Sequence, residues 1–84
     1  MMSEERIEVI AYSGHRGEET PRVIVLRQKK IEVVEILRRW IEENAEYRTR
    51  RRFFILKGSD SILHKIFYDE KTMEWYEGML RKIR

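Results

Sequence analysis

Two aromatic and β-branched runs, one ending in Ile66-Phe67-Tyr68 and the other holding Trp75-Tyr76, flank a polar block that opens on Asp69. A short carboxylate at that position bonds to its own backbone and starts a turn. The stretch from Ile62 to Tyr76 therefore reads as a β-hairpin with its turn within Asp69 to Met73. Trp75 and Tyr76 then point to opposite faces, so one of them leaves the main core. With the arginines that precede it, the hairpin suggests a small β-rich domain with a basic flank.

The chain has 84 residues, which gives one domain and no second core. A chain of this size buries only about 60–65% of its unfolded surface, so large side chains must supply much of its stability. It has no cysteine, which excludes disulfides, thiolate metal sites and a cysteine nucleophile. Met1 to Arg6 is polar and unlike a signal peptide, and no run approaches the roughly 20 apolar residues of a membrane span. A soluble, cytoplasmic protein is the expectation. Lys and Arg number 18 against 15 Asp and Glu, a dense mixture of both signs of the kind that heat-adapted proteins use.

Alternation from Arg6 to Tyr12 puts Ile7, Val9 and Ala11 on one face of a strand and Glu8, Ile10 and Tyr12 on the other. Ser13 to Thr20 reads as a loop. Arg22 to Arg27 is a central strand or one covered on both sides, Gln28-Lys29 a tight turn, and Lys30 to Val34 the returning strand. From Val34 to Asn44 the apolar residues Val34, Leu37, Trp40 and Ile41 fall at helical spacing, with Glu35 and Arg39 set for an i,i+4 ion pair. A short helix is expected there, with Trp40 buried on its apolar stripe. Arg52 to Lys57 is a further strand, Gly58 to Ser61 a turn, and Gly78 to Arg84 a strand end or a short helical tail. The fold expected is mainly β, with α+β as the alternative: a curled antiparallel sheet or partial barrel of about five to six strands with one short helix.

The densest charge is Arg48, Arg50, Arg51 and Arg52, beside Phe53-Phe54. Arginine forks bind phosphates and neighbouring aromatics stack on bases, the chemistry of single-strand binders. Arg38, Arg39, Lys29 and Lys30 extend this patch if the helix and the first hairpin face the same side. Arginines leading into a strand also blunt an exposed sheet edge and pair with nearby carboxylates, here Glu42, Glu43 and Glu46. Both readings stand. The histidines are His15 and His64, with no thiol to share a metal; His64 shares a face with Ile62 and Ile66, as a packed or rim side chain does. The loop around His15 lacks the Gly-Lys-Ser/Thr ending of a phosphate-cradling loop. No nucleophile–base pair or metal-ligand spacing is present, so neither an enzyme, a metal nor a cofactor is expected.

Four stretches resemble a small bacterial domain family of no assigned activity, whose members occur alone or at the C-terminal end of Y-family DNA polymerase homologues of the mutagenic repair type. Pro21-Arg22, an apolar strand, a basic turn and Ile31-Glu32-Val33 are similar to its first hairpin, and Val34 through Leu37 to Arg39-Trp40 to the segment that follows. Arg52-Phe53-Phe54-Ile55 resembles its arginine–aromatic strand, and Phe67 to Thr72 with Trp75-Tyr76 its closing hairpin. The chain departs from the pattern at Met73-Glu74, where the family has glycine and a basic residue, and at Leu26 and Gln28, which replace a tryptophan and a glycine. The resemblance implies an association with DNA repair, through nucleic acid or a nucleic-acid-processing protein. The alternative is a protein–protein adaptor that uses a sheet edge or an aromatic patch.

Overall fold

The computed structural model describes residues 5–13 and 19–78. Six strands follow one another: β1 (Glu5–Ser13), β2 (Glu19–Leu26), β3 (Lys29–Asn44), β4 (Thr49–Gly58), β5 (Leu63–Asp69) and β6 (Glu74–Gly78). Each pairs antiparallel with the next, and β1 pairs with β6 to close a barrel. The expected curled antiparallel architecture is therefore present. Among the described residues no helix is long and apolar enough to cross a membrane. The glycine-containing loop with His15 and the tail after Gly78 lie outside the described residues.

The expected helix over Val34–Asn44 is instead the distal two-thirds of β3. Two bulges explain the difference. Val33 faces Gly58 and Glu35 faces Lys57, so Val34 has no partner; Ile36 faces Leu56 and Arg38 faces Ile55, so neither has Leu37. Both unpaired residues are exposed, at 63% and 45%. Each bulge turns the two-residue step of a strand into a step of three, and the sum mimics a helical stripe. The bulges also bend β3, which pairs with β2 up to Glu32 and from Val33 onward only with β4 among the described residues.

The first hairpin turns at Arg27-Gln28, one residue earlier than expected, closed by the Leu26–Lys29 pair. Arg27 and Gln28 have φ of 51° and 69°. Such a two-residue turn matches strand twist but favours Asn and Gly, so the flanking register must hold these two residues there. The last hairpin turns where expected. Met73, at φ 61°, occupies a left-handed position that glycine adopts more readily.

Strand alternation separates two apolar layers. Ile7, Ile24, Ile31, Phe54, Leu56, Ile66 and Trp75 fill the barrel, with Val9, Ala11, Val33 and Ile36 packed against them. On the outer face Trp40, Phe53, Phe67 and Tyr76 form a row across β3 to β6, with centroid spacings of 5.2, 4.9 and 5.1 Å. Phe53 and Phe67 are 6% and 2% exposed despite facing outward. Arg51 lies 5.2 Å over Phe67, and the Lys65 ammonium 5.4 Å over Phe53. The charged ends of long basic side chains thus cover the row, where the ring faces attract them. Trp40 ends the row and is only half-buried, which corrects its expected burial in the core.

Gly58 joins β4 to the next turn at a close approach. A Cβ there would stand 2.6 Å from both Ile31 Cγ2 and Asp60 Oδ1. Asp60 cannot easily withdraw, because its carboxylate accepts from the Ile62 amide at 3.1 Å and faces His64 at 3.0 Å. Gly58→Ala should cost about 1–3 kcal/mol through overpacking, read as a lower thermal midpoint.

Candidate nucleic-acid interface

The pairing of β4 with β5 ends at Arg51 and Asp69, so β3 and β4 continue beyond that point as a two-stranded ribbon. Its tip, residues 45–48, is held by the Tyr47 amide donating to Asn44 Oδ1 at 3.1 Å, with Arg48 at φ 54°. Every candidate arginine lies on this ribbon or its base, but alternation splits them. Arg39 pairs with Phe54, Ile41 with Arg52 and Glu43 with Arg50, which places Arg39, Arg50 and Arg52 on the inward face. Arg38 and Arg51 fall on the outer face. Lys29 and Lys30 sit at the opposite end of β3, about 25–30 Å along the strand from Arg38 at ~3.3 Å per residue. They do not extend the patch. Lys30 instead lines a broad concavity of about 860 Å³ with Arg6, Val25 and Met73.

Three of the arginines meet carboxylates. Arg50 Nη1 lies 2.8 Å from Glu43, and its Nε 3.2 Å from Glu70. Arg52 Nε donates to the same Glu70 oxygen at 2.8 Å. Arg51 Nε donates to Asp69 at 3.0 Å. Of the partners expected near in sequence only Glu43 is used; Asp69 and Glu70 arrive from the β5–β6 turn. For Arg38, Arg39 and Arg48 no carboxylate stands at ion-pair distance among the described residues.

The Asp69 carboxylate is buried, and it also accepts from the amides of Lys71 at 2.8 Å and Thr72 at 3.3 Å. Burial works against its ionisation, but the two amides and the Arg51 guanidinium outweigh it and hold the carboxyl below the ordinary aspartate value. Arg51 is therefore part of the hairpin's framework rather than a spare cation.

Beside the inward-facing arginines lies a shallow cleft of about 310 Å³, lined by Arg39, Arg50 and Arg52 with Trp40, Ile41, Phe53 and Phe54. Arg39 stands 5.9 Å over the Phe54 ring. Guanidinium groups around an apolar floor can take an anion.

The other concentration of titratable groups is at the base of the barrel. His64 is buried, with Nδ1 3.1 Å from Glu77 and Nε2 3.0 Å from Asp60. Burial works against ionisation of Asp60, but its bonds to His64 and the Ile62 amide outweigh it and hold the carboxyl below its ordinary value. Both ring nitrogens are thus committed, and no hydroxyl among the described residues bonds to the ring. The packed histidine expected on the face of Ile66 is what the fold uses; its two carboxylate partners were not foreseen.

Comparisons with protein-family models, with curated proteins and with solved structures found no match.

Proposed function

We propose that the protein is a non-catalytic accessory module that holds single-stranded nucleic acid across the inward face of the β3–β4 ribbon. The cleft carries this reading: three arginines line one apolar-floored concavity at a protruding ribbon. Phosphates would meet Arg39, Arg50 and Arg52, and a base would lie against the exposed Ile41 side chain between them. The pairs that hold Arg50 to Glu43 and Glu70 are partly exposed, and such pairs contribute only about 0–1 kcal/mol. A phosphate can therefore displace the carboxylates. The resemblance to a domain attached to repair polymerases points the same way, with a DNA strand as the natural ligand.

Fluorescence anisotropy with a labelled single-stranded oligonucleotide over a salt series tests it. Each phosphate neutralised adds about −0.7 to the slope of log affinity against log salt for single strands, so three arginines should give roughly −2. Arg39→Gln with Arg50→Gln should flatten the slope by about two contacts. Arg51→Gln, on the other face, should leave the slope unchanged. Absence of binding at low salt, where attraction is strongest, would rule the cleft out as a nucleic-acid site.

A second reading, the adaptor, is favoured by a different observation. The β3 edge from Val33 to Asn44 has no neighbouring strand among the described residues, and Val34, Leu37 and Ile41 are exposed along it. A strand edge of this length offers a row of free backbone donors and acceptors to a partner.

A further inference from the structure

The distal part of β3 reads Arg38-Arg39-Trp40-Ile41-Glu42-Glu43. Each face of this edge therefore carries a cation, an apolar side chain and an anion in order: Arg38, Trp40 and Glu42 outside, Arg39, Ile41 and Glu43 inside. A strand with this pattern is complementary to itself when reversed. We propose that two copies of the chain join edge to edge through β3, antiparallel about a two-fold axis through Trp40. The inference rests on the edge reading above and makes no use of the arginine cleft.

A two-fold axis perpendicular to a continuous antiparallel sheet must place one residue opposite its own copy, so that like faces remain on the same side. With Trp40 at that position, Arg38 of each copy faces Glu42 of the other. The register centred on Ile41 would ask for Glu43, which Arg50 already holds at 2.8 Å. Glu42 accepts only from Trp40 Nε1, at 3.0 Å, and Arg38 meets no carboxylate among the described residues. The Trp40 register thus uses two charges that have no ion-pair partner among the described residues.

It also completes the outer aromatic row. Trp40 ends that row partly exposed, stacked on Phe53 at 5.2 Å with the rings 7° apart. Across the axis the row would run on into Trp40 of the second copy. Parallel pairing is disfavoured, because in register it sets Arg38 against Arg38 and Glu42 against Glu42. The bulge at Leu37 limits flat pairing to the segment after it. The charges that would repel an unlike strand thereby select a second copy of this one.

Sedimentation equilibrium between about 1 and 500 µM protein, a span that brackets a modest interface, tests the proposal. The wild-type chain should show a concentration-dependent dimer. Arg38→Glu and Glu42→Arg, made singly, each convert two attractive pairs into two repulsive ones and should weaken association by about tenfold or more. The double variant restores opposite charges across the axis and should recover the dimer. Within one copy the two positions are about 13 Å apart along the strand, so recovery reports pairing between copies. Circular dichroism establishes that each variant is folded.

Trp40→Cys, in a chain with no other thiol, should form an intermolecular disulfide under mild oxidation, because facing residues have Cα atoms about 4.5–5.5 Å apart. Ile41→Cys should do so far less. A monomer throughout the range, single variants that associate as well as wild type, or a double variant that stays monomeric would each overturn the proposal. Oligonucleotide titration of the same charge variants keeps the cleft's fate separate: a monomer that still binds single strands through Arg39 and Arg50 removes the dimer and leaves the nucleic-acid reading standing.

Discussion

Trp75→Ala should cost about 3–5 kcal/mol of stability, the usual range for a large aromatic removed from a core. Trp75 is 8% exposed and lies between Phe54, at 5.8 Å, and Tyr68, at 5.2 Å. It also faces Ile7 across the seam where β6 meets β1. That seam is short, with register running from Glu5–Glu77 to Ile7–Trp75. Loss of the indole therefore opens a cavity and weakens barrel closure together. A domain of this size has about 5–10 kcal/mol in all, so the variant should stand near the edge of unfolding at physiological temperature. Trp40→Ala should cost less, about 1–2 kcal/mol, because its ring lies partly exposed on the outer face and gives up one stack and a cation–π contact. Urea denaturation followed by far-ultraviolet circular dichroism compares the two on one scale. Equal losses would mean that the outer row carries as much of the fold as the barrel interior.

The contrast between the two tryptophans shows where the sequence was legible. Period-two alternation in β1, the apolar run of β4 and the Asp69 hairpin all survived translation into structure. Each is encoded locally, in side-chain order and one turn residue. Val34 to Asn44 misled because bulges are a relation between strands: the register of β4 makes Val34 and Leu37 supernumerary, and nothing in β3 alone says so. The Arg27-Gln28 turn failed to announce itself for a related reason, since neither residue favours positive φ and pairing on both sides imposes it. At the site, the arginine cluster was plain from composition, but its division between two faces depends on register. Its partners Asp69 and Glu70 lie 18 residues from Arg51 and Arg52 and come within reach only once β4 and β5 pair. The ion-paired reading thereby gained for Arg50, Arg51 and Arg52, while Arg39 gained a cleft.

Asp69→Ala should be the most damaging charge removal, at about 3–4 kcal/mol. The substitution takes away three charge-assisted or backbone-directed bonds, each worth about 1–3 kcal/mol, less what water returns to the partly exposed Arg51. Asp69→Asn should cost less at neutral pH, since an amide oxygen can still accept from Lys71 or Thr72 but cannot neutralise Arg51. The pH dependence identifies the carboxylate. Asp69 is held below the ordinary aspartate value in the folded protein, so its contribution is fully present above the unfolded value of about 3.9 and is lost as pH falls through the folded value. The gap in stability between wild type and Asp69→Asn should therefore be constant from neutrality down to about pH 5 and close progressively below about pH 4. Urea midpoints of both proteins at a series of pH values measure it, and the difference cancels titrations the two chains share. A gap that stays open in acid would show that shape at the turn, rather than the charge facing Arg51, is what Asp69 supplies. If the gap closes as expected, the β5–β6 turn and the base of the β3–β4 ribbon are tied by one ionised group. Acid would then loosen the platform on which Arg50 and Arg52 stand.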